Sequence, residues 1–331
     1  MNRSLPQSAE SFNSIHYFPS LVQIGENIRT PLNKPFLVPG LIEQLRESRE
    51  TLFINPTLSQ GIELNERLLR STNFIKHPEW SVGRDDSSQG IFFGEYNLVV
   101  DKGSNGVSFN YPVAVKPYHE TKAETDPWES AIHEYIGCLL LNKTGSIRTF
   151  DPIGIWVDEE KKPFLLTHFE EEVISLDNFS LLEVSSSDNN KEESPTIYPL
   201  QYTADVLAML HSNGFSHGDA QIKNFASDRL QGLVCDLVRL RRIVAPEEVI
   251  PDANAIRSHI ANDLKMLIGS VIEQAYMPPE SIVNMRQTID TNLVQPYVKK
   301  MKNQISSPIH ALCCDGSIEL EIITTGLLDQ I

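Results

Sequence analysis

Apolar residues recur at helical spacing in several stretches of this chain and in short extended runs elsewhere. Between residues 202 and 211, Ala204, Val206, Leu207, Ala208 and Leu210 line one side of a predicted helix, and Ser212-Asn213-Gly214 supplies its stop. Ile132, Tyr135, Ile136, Leu139 and Leu140 form a second stripe, on a helix predicted over 127–142 with Pro127 near its start. Residues 282–301 repeat the pattern, as do 41–51 and 62–69, which follow a proline-rich stretch. A further helix opens at 261–268 and carries Asp263. Extended runs are predicted at 80–83, 91–100 and 113–116, the last β-branched and bounded by Pro112 and Pro117. Two hairpins follow: 153–157 with 163–170, and 225–226 with 233–235. The polar, low-complexity run near 185–195 predicts a mobile insert.

The chemistry concentrates after the 202–211 helix, in His217-Gly218-Asp219-Ala220-Gln221-Ile222-Lys223-Asn224, with Asp236 ending the apolar run Leu233-Val234-Cys235. The 225–235 hairpin sets Asp236 beside Asn224. Phosphoryl transfer passes through a charge-rich transition state, so a protein that catalyses it positions groups and supplies metal-held neutralisation. Asp219 would take or orient the proton of an attacking hydroxyl, while Asn224 and Asp236 would hold magnesium through oxygen. Taken singly, a loop Asp is a turn former or a helix cap; the constellation is what points to chemistry.

On these residues the chain resembles the protein-kinase-like superfamily, closest to its aminoglycoside phosphotransferase-like and atypical kinase branches, whose loop begins His-Gly-Asp. The resemblance spans roughly residues 80–270. It implies an α+β, bilobal protein-kinase-like fold with a small antiparallel β-sheet lobe and a mainly helical lobe. The domains would be an N-terminal extension over 1–75, a β-rich nucleotide-binding lobe over 76–169 and a helical catalytic lobe over 170–331. It also implies a strand lysine held by a helix glutamate. Val113-Ala114-Val115-Lys116 supplies Lys116, and the 127–142 helix supplies Glu134, with Glu129 as an alternative. No Gly-x-Gly-x-x-Gly is present. The phosphate loop is read at 85–90, with Ser87, Ser88 and Gly90, and alternatively at the turn 101–106. Thr167, His168 and Phe169 would offer backbone groups to the purine, and Asp263 resembles the buried Asp that braces the catalytic loop, its other reading being an acid favoured at a helix N-terminus.

Three departures matter. Gly218 and Gln221 stand where typical protein kinases carry Arg and Lys, and Leu237-Val238, not Phe-Gly, follows Asp236. Lys223 is a candidate for the role left open at Gln221. Ala245-Pro246-Glu247 comes too soon after Asp236 to end a conventional activation segment. The expected function is an ATP- and magnesium-dependent kinase with a hydroxyl acceptor, either a protein Ser or Thr or a small molecule. The alternative is a pseudokinase, a nucleotide-binding or scaffolding module without turnover.

Composition adds boundaries to this reading. The 331 residues are 40% hydrophobic and 22% charged, the balance of a globular chain. Cys138, Cys235, Cys313 and Cys314 show no metal spacing, which predicts reduced thiols and a cytoplasmic location. No stretch reads as a signal peptide or a membrane span. A net charge of -16 argues against nucleic acid as a general partner and suits a cationic acceptor. Glu170-Glu171-Glu172 with Asp177 is a candidate entry point for it.

Overall fold

The structure, a computed structural model, describes residues 15–17, 43, 46–47, 52–54, 69–82, 91–100, 107–118, 126–158, 160–168, 174–175, 199–227, 231–244, 252–275 and 282–330. These fall into two units, one holding 15–139 and 150–168, the other 140–149 and 174–330. Helix and strand are mixed, and the strand pairing is antiparallel except at one edge.

The first unit is built on a sheet of β1 (Ile15–Tyr17), β2 (Leu52–Ile54), β3 (Leu69–Val82), β4 (Ile91–Val100), β5 (Val107–Pro117), β6 (Pro152–Val157) and β7 (Pro163–His168). Their order is β1-β2-β6-β7-β5-β4-β3, and only the β1–β2 pair is parallel. Strand β7 lies between β5 and β6 and is buried along almost its whole length, which is why its sequence reads as a continuous apolar run and not as an alternation. Strand β5 runs straight through Pro112, where the sequence predicts its boundary. At Pro112 the strand is paired only with β4, through Glu95; pairing with β7 begins at Val113. A missing N–H is tolerated where a strand has one neighbour. Leu69 opens β3, against the helix expected over 62–69, while residues 43, 46 and 47 are helical as expected for 41–51.

Helix α1 (Pro127–Thr144) begins where Asp126 Oδ1 accepts the Trp128 N–H at 2.9 Å, an N-cap followed by Pro127 at the first position. Every residue from 130 to 141 is buried, so this helix is packed all round. The division between the units falls inside it, after Leu139.

In the second unit come β8 (Ile174–Ser175), α2 (Pro199–Ser212), β9 (Phe215–Ser216), β10 (Phe225–Ser227), β11 (Gly232–Val234) and β12 (Arg241–Arg242). Helices α3 (Ala253–Ala275), α4 (Ile282–Ile289), α5 (Gln295–Asn303), α6 (His310–Cys314) and α7 (Leu320–Leu328) follow. Helix α2 stops at Gly214, whose φ of +80° and N–H bond to His211 O at 2.8 Å close its last turn. Helix α3 starts eight residues earlier than expected, because Asp252 Oδ1 accepts the N–H groups of Asn254 and Ala255. Asp263 is therefore mid-helix, among the buried Ile256, Ile260, Leu264 and Leu267, and its helix-N-terminus reading is withdrawn. The single helix expected over 282–301 is interrupted by a π-helical turn, Asp290–Val294. Pro296, near the start of α5, lacks the N–H an uninterrupted helix would need there. Among the described residues no helix is long and apolar enough to cross a membrane.

Candidate active site

In the first unit, Lys116 sits near the end of β5 and Glu134 in the second turn of α1. Lys116 Nζ donates to Glu134 Oε2 at 2.6 Å, and both residues are largely shielded from solvent. The partner is thus Glu134, the first of the two glutamates considered. Tyr118, two residues beyond Lys116, donates its hydroxyl to the same Oε2, and its ring centroid lies 5.4 Å from Lys116 Nζ. One buried carboxylate oxygen therefore gathers a cation and a phenol, and the phenol ring also borders the cation. Sequence reasoning did not find Tyr118; it follows Pro117 at the end of the strand, and its partner is sixteen residues away on a helix.

The second unit carries the loop from His217 to Asn224. Strand β9 delivers it and β12 flanks it, with Arg241 opposite Ser216 and Arg242 opposite Phe215. Asp263 organises its first half. Its Oδ2 accepts from the His217 N–H at 2.7 Å, Ser216 Oγ at 2.8 Å and His211 Nε2 at 3.0 Å, and its Oδ1 accepts from the Gly218 N–H at 2.9 Å. Burying a carboxylate is costly unless donors surround it, and these four do. Burial works to raise the Asp263 pKa, but the hydrogen bonds from His211 and Ser216 are among the interactions that outweigh it, and the carboxyl titrates below its ordinary value. His211 in turn meets Tyr297 on α5, with Nδ1 and the phenol oxygen 2.7 Å apart. Burial first, then the charges of Cys313 and Asp263, hold the Tyr297 pKa well above its usual value, so its phenol stays protonated. The His211 ring thus bridges the Tyr297 phenol and the Asp263 carboxylate.

His217 makes the next link. Its Nε2 donates to Cys235 O at 3.0 Å, which leaves Nδ1 to accept the Asp219 N–H at 3.3 Å. The imidazole, fully buried, thus ties the residue carrying the proposed base to the backbone just before Asp236. Gly218 is required here: its φ is +76°, and a Cβ would lie 2.4 Å from Arg239 O. Glycine at this position is therefore a packing necessity.

Asp219 itself is half-buried, and Gln221 Nε2 donates to its Oδ1 at 2.9 Å. Asn224, buried, donates its Nδ2 to Asp219 O at 2.8 Å, which turns its amide oxygen away from that bond. Strands β10 and β11 pair antiparallel, Phe225 opposite Val234, and the ladder ends with Cys235 N–H on Asn224 O at 3.0 Å. Asp236 follows in a left-handed conformation, φ 55° and ψ 59°, before the 3₁₀ turn Leu237–Arg239. The hairpin thus juxtaposes the stretches that carry Asn224 and Asp236. Ser270 Oγ, on α3, accepts the Ile222 N–H at 2.9 Å and secures the second half of the loop.

Thr167 is buried in β7 opposite Ala114, and His168 ends that strand. Ser87, Ser88, Gly90, Phe169, the turn 101–106, the acidic run at 170–172 with Asp177, the insert near 185–195 and the tripeptide 245–247 lie outside the described residues.

Magnesium takes oxygen donors in octahedral geometry and is usually held by one or two protein groups, with phosphates and water completing the shell. Asn224 and Asp236 fit that role: both offer oxygen, and the Asn224 amide is oriented by its Nδ2 bond. Among the described residues no group of three or more His, Cys, Asp and Glu side chains is arranged as an all-protein metal cage.

No protein-family profile matches the chain, and no curated protein matches it. Among solved structures, the chain is similar to one described as WaaP in complex with acyl carrier protein, at 14% identity and a TM-score of 0.33, over 75% of this chain and 86% of that one. It is also similar to a Neurospora crassa PAN3 pseudokinase mutant, at 8% identity and a TM-score of 0.35, over 83% of this chain and 68% of that one. At such TM-scores neither likeness carries an argument about fold or activity.

Proposed function

We propose that the chain is a kinase of protein-kinase-like fold, moving the γ-phosphate of ATP to a hydroxyl acceptor with magnesium. The observation that carries this reading is the loop 217–224, held by Asp263 at its start and by Ser270 near its end, with the β10–β11 hairpin bringing together the stretches that carry Asn224 and Asp236. A turn former or cap needs no such bracing. The Lys116–Glu134 pair supports it from the first unit.

In the proposed reaction Asp219 accepts the proton of the attacking hydroxyl as the new O–P bond forms and the bond from the γ-phosphorus to the β–γ bridging oxygen breaks. Gln221 holds one oxygen of Asp219, leaving the other for the acceptor. Lys116 pairs with nucleotide phosphate, and Glu134 keeps its ammonium in place. Asn224 and Asp236 would hold the metal, which supplies neutralisation of phosphate charge.

A second reading rests on Gln221 itself. A neutral amide stands where the superfamily places a lysine, so the chain would lack one charge that stabilises the transferred group, and a nucleotide-binding module without turnover would keep the same braced loop.

The test is incubation of wild-type and Asp219→Ala protein with magnesium and γ-labelled ATP, alone, with a protein lysate and with an aminoglycoside panel. Transfer by the wild type and loss of at least about a hundredfold in the variant is expected, the usual scale for a positioned base. Nucleotide binding without transfer in either protein favours the second reading. Equal transfer by both proteins removes Asp219 from the role.

A further inference from the structure

The segment after Asp236 carries charge that the proposed reaction does not use: Arg239, Arg241 and Arg242. It is locked against the catalytic loop. The point a Cβ of Gly218 would occupy lies 2.4 Å from Arg239 O and 3.0 Å from the Arg239 Cβ, so this side chain springs from backbone that abuts the residue before Asp219. Strand β12 sets Arg241 opposite Ser216 and Arg242 opposite Phe215, and the Ile243 N–H reaches Gly214 O at 2.7 Å. Leu237, Leu240 and Ile243 are fully buried among the arginines, so the guanidinium groups stand on a fixed base.

The three arginines are not equivalent. Arg242 lies over the Phe215 ring, its guanidinium carbon 5.4 Å from the centroid. Arg241 acts on α3: burial first, then the Arg241 charge, lower the His259 pKa, with Asp263 pulling the other way. Arg239 is exposed, and its side chain makes no hydrogen bond or ion pair among the described residues. It leaves even Asp219 alone, whose Oδ1 is held by Gln221 instead. The other acids on the helices packed here, Asp205 on α2 and Asp252 and Glu273 on α3, form no ion pair with Arg239 or Arg241 either, and the Asp263 carboxylate is already occupied. A fixed, unneutralised guanidinium therefore stands beside the proposed base.

We propose that Arg239 selects the acceptor, a role that rests on the kinase reading: it binds a phosphate or carboxylate carried by a small compound whose hydroxyl reacts at Asp219. A guanidinium offers a planar fork that matches two oxygens of either anion, and the Arg241 charge adds to the attraction. In the transfer the acceptor hydroxyl gives its proton to Asp219, its oxygen bonds to the γ-phosphorus, ADP leaves with the bridging oxygen, and the anion held by Arg239 is unchanged. A compact acceptor fits better than an extended peptide. Ile243, seven positions after Asp236, is already bonded back to Gly214, so no long segment is left to cradle a peptide. The acceptor class is thus anionic, opposite to the one that the net charge of -16 suggests for the chain as a whole.

The test measures binding of ribose 5-phosphate, gluconate and ribose to the full chain by calorimetry, with magnesium and a non-hydrolysable ATP analogue filling the nucleotide site. At least one of the two anionic compounds is expected to bind about tenfold more tightly than ribose, the scale of a hydrogen bond to a charged group, and the tighter of the two identifies the anion. Arg239→Gln is expected to remove most of that preference, and Arg239→Lys to keep part of it, since the charge stays and the fork is lost. Melting temperatures of both variants should match wild type, because Arg239 is exposed and unpaired among the described residues. Equal binding of ribose and both anions, an undiminished preference in Arg239→Gln, or tighter binding of kanamycin or of an acidic serine peptide would each overturn the proposal. Transfer of γ-label to the same compounds separates the two failures. An anion preference lost in Arg239→Gln, with no transfer by wild type, counts against the kinase reading and leaves Arg239 an anion site; transfer to a cationic acceptor alone keeps the kinase and removes Arg239 from selection.

Discussion

At the scale of single residues, Tyr118 adds to what the lysine–glutamate pair does alone. An ammonium on a flexible four-carbon stem is poorly fixed by one carboxylate oxygen. The Tyr118 phenol binds the same Oε2, so Glu134 is held from a second direction, while the ring face borders Lys116. Tyr118→Phe keeps the ring and removes only that hydroxyl. A hydrogen bond to a charged group contributes about 1.5–3 kcal/mol, so the variant is expected to lower the rate at saturating nucleotide by roughly tenfold. Lys116→Ala is expected to be more damaging, because it removes the cation itself. The Tyr118→Phe effect should appear in single-turnover transfer on the acceptor found with the wild type; wild-type kinetics would leave the tyrosine a packing residue.

Among the elements, the loop, the Leu237–Arg239 turn and α3 depend on one another. Gly218→Ala would place a methyl group 2.4 Å from Arg239 O and force a non-glycine residue to φ +76°. The left-handed conformation alone costs about 1–2 kcal/mol, and the clash adds to it by pushing apart the loop and the turn that follows Asp236. Reduced thermal stability together with reduced transfer is expected, and a variant with wild-type values of both would show that the close approach is relaxed in solution. This is also where sequence legibility changes. Helix ends such as Ser212-Asn213-Gly214 and the hairpin leading to Asp236 were readable because their signals are local: a stop residue, a turn, a short apolar run. The partners of His211 are 52 and 86 residues away, and no periodicity announces them. The start of α3 is not legible from its apolar stripe because Asp252, a cap outside that stripe, sets it. The continuation of β5 through Pro112 is not legible either, because tolerance of proline depends on which strands flank it, a fact of sheet order and not of composition.

For the molecule as a whole, the buried chain Tyr297–His211–Asp263 makes stability depend on pH in two opposite ways. The Asp263 carboxyl has a depressed pKa in the folded state, so its contribution is complete above the ordinary aspartate range near about 3.9 and is lost as pH falls through its lower native value. Tyr297 has a raised one, so its contribution holds below about pH 10 and is lost as pH rises further. Asp263→Asn breaks a buried network, a change that typically costs about 3–5 kcal/mol. Denaturation midpoints of wild type and variant should differ most at neutral pH and converge in acid, where Asp263 is protonated in both folded and unfolded wild type; a gap independent of pH would mean the charge is not what matters. The same bracing sets a limit on engineering. The His217 and Gly218 N–H groups find their acceptor 46 and 45 residues downstream, so a graft of the eight-residue motif into another scaffold would leave two amides with nowhere to bond. The smallest piece that can be transplanted is the loop together with a helix presenting a carboxylate at the position of Asp263.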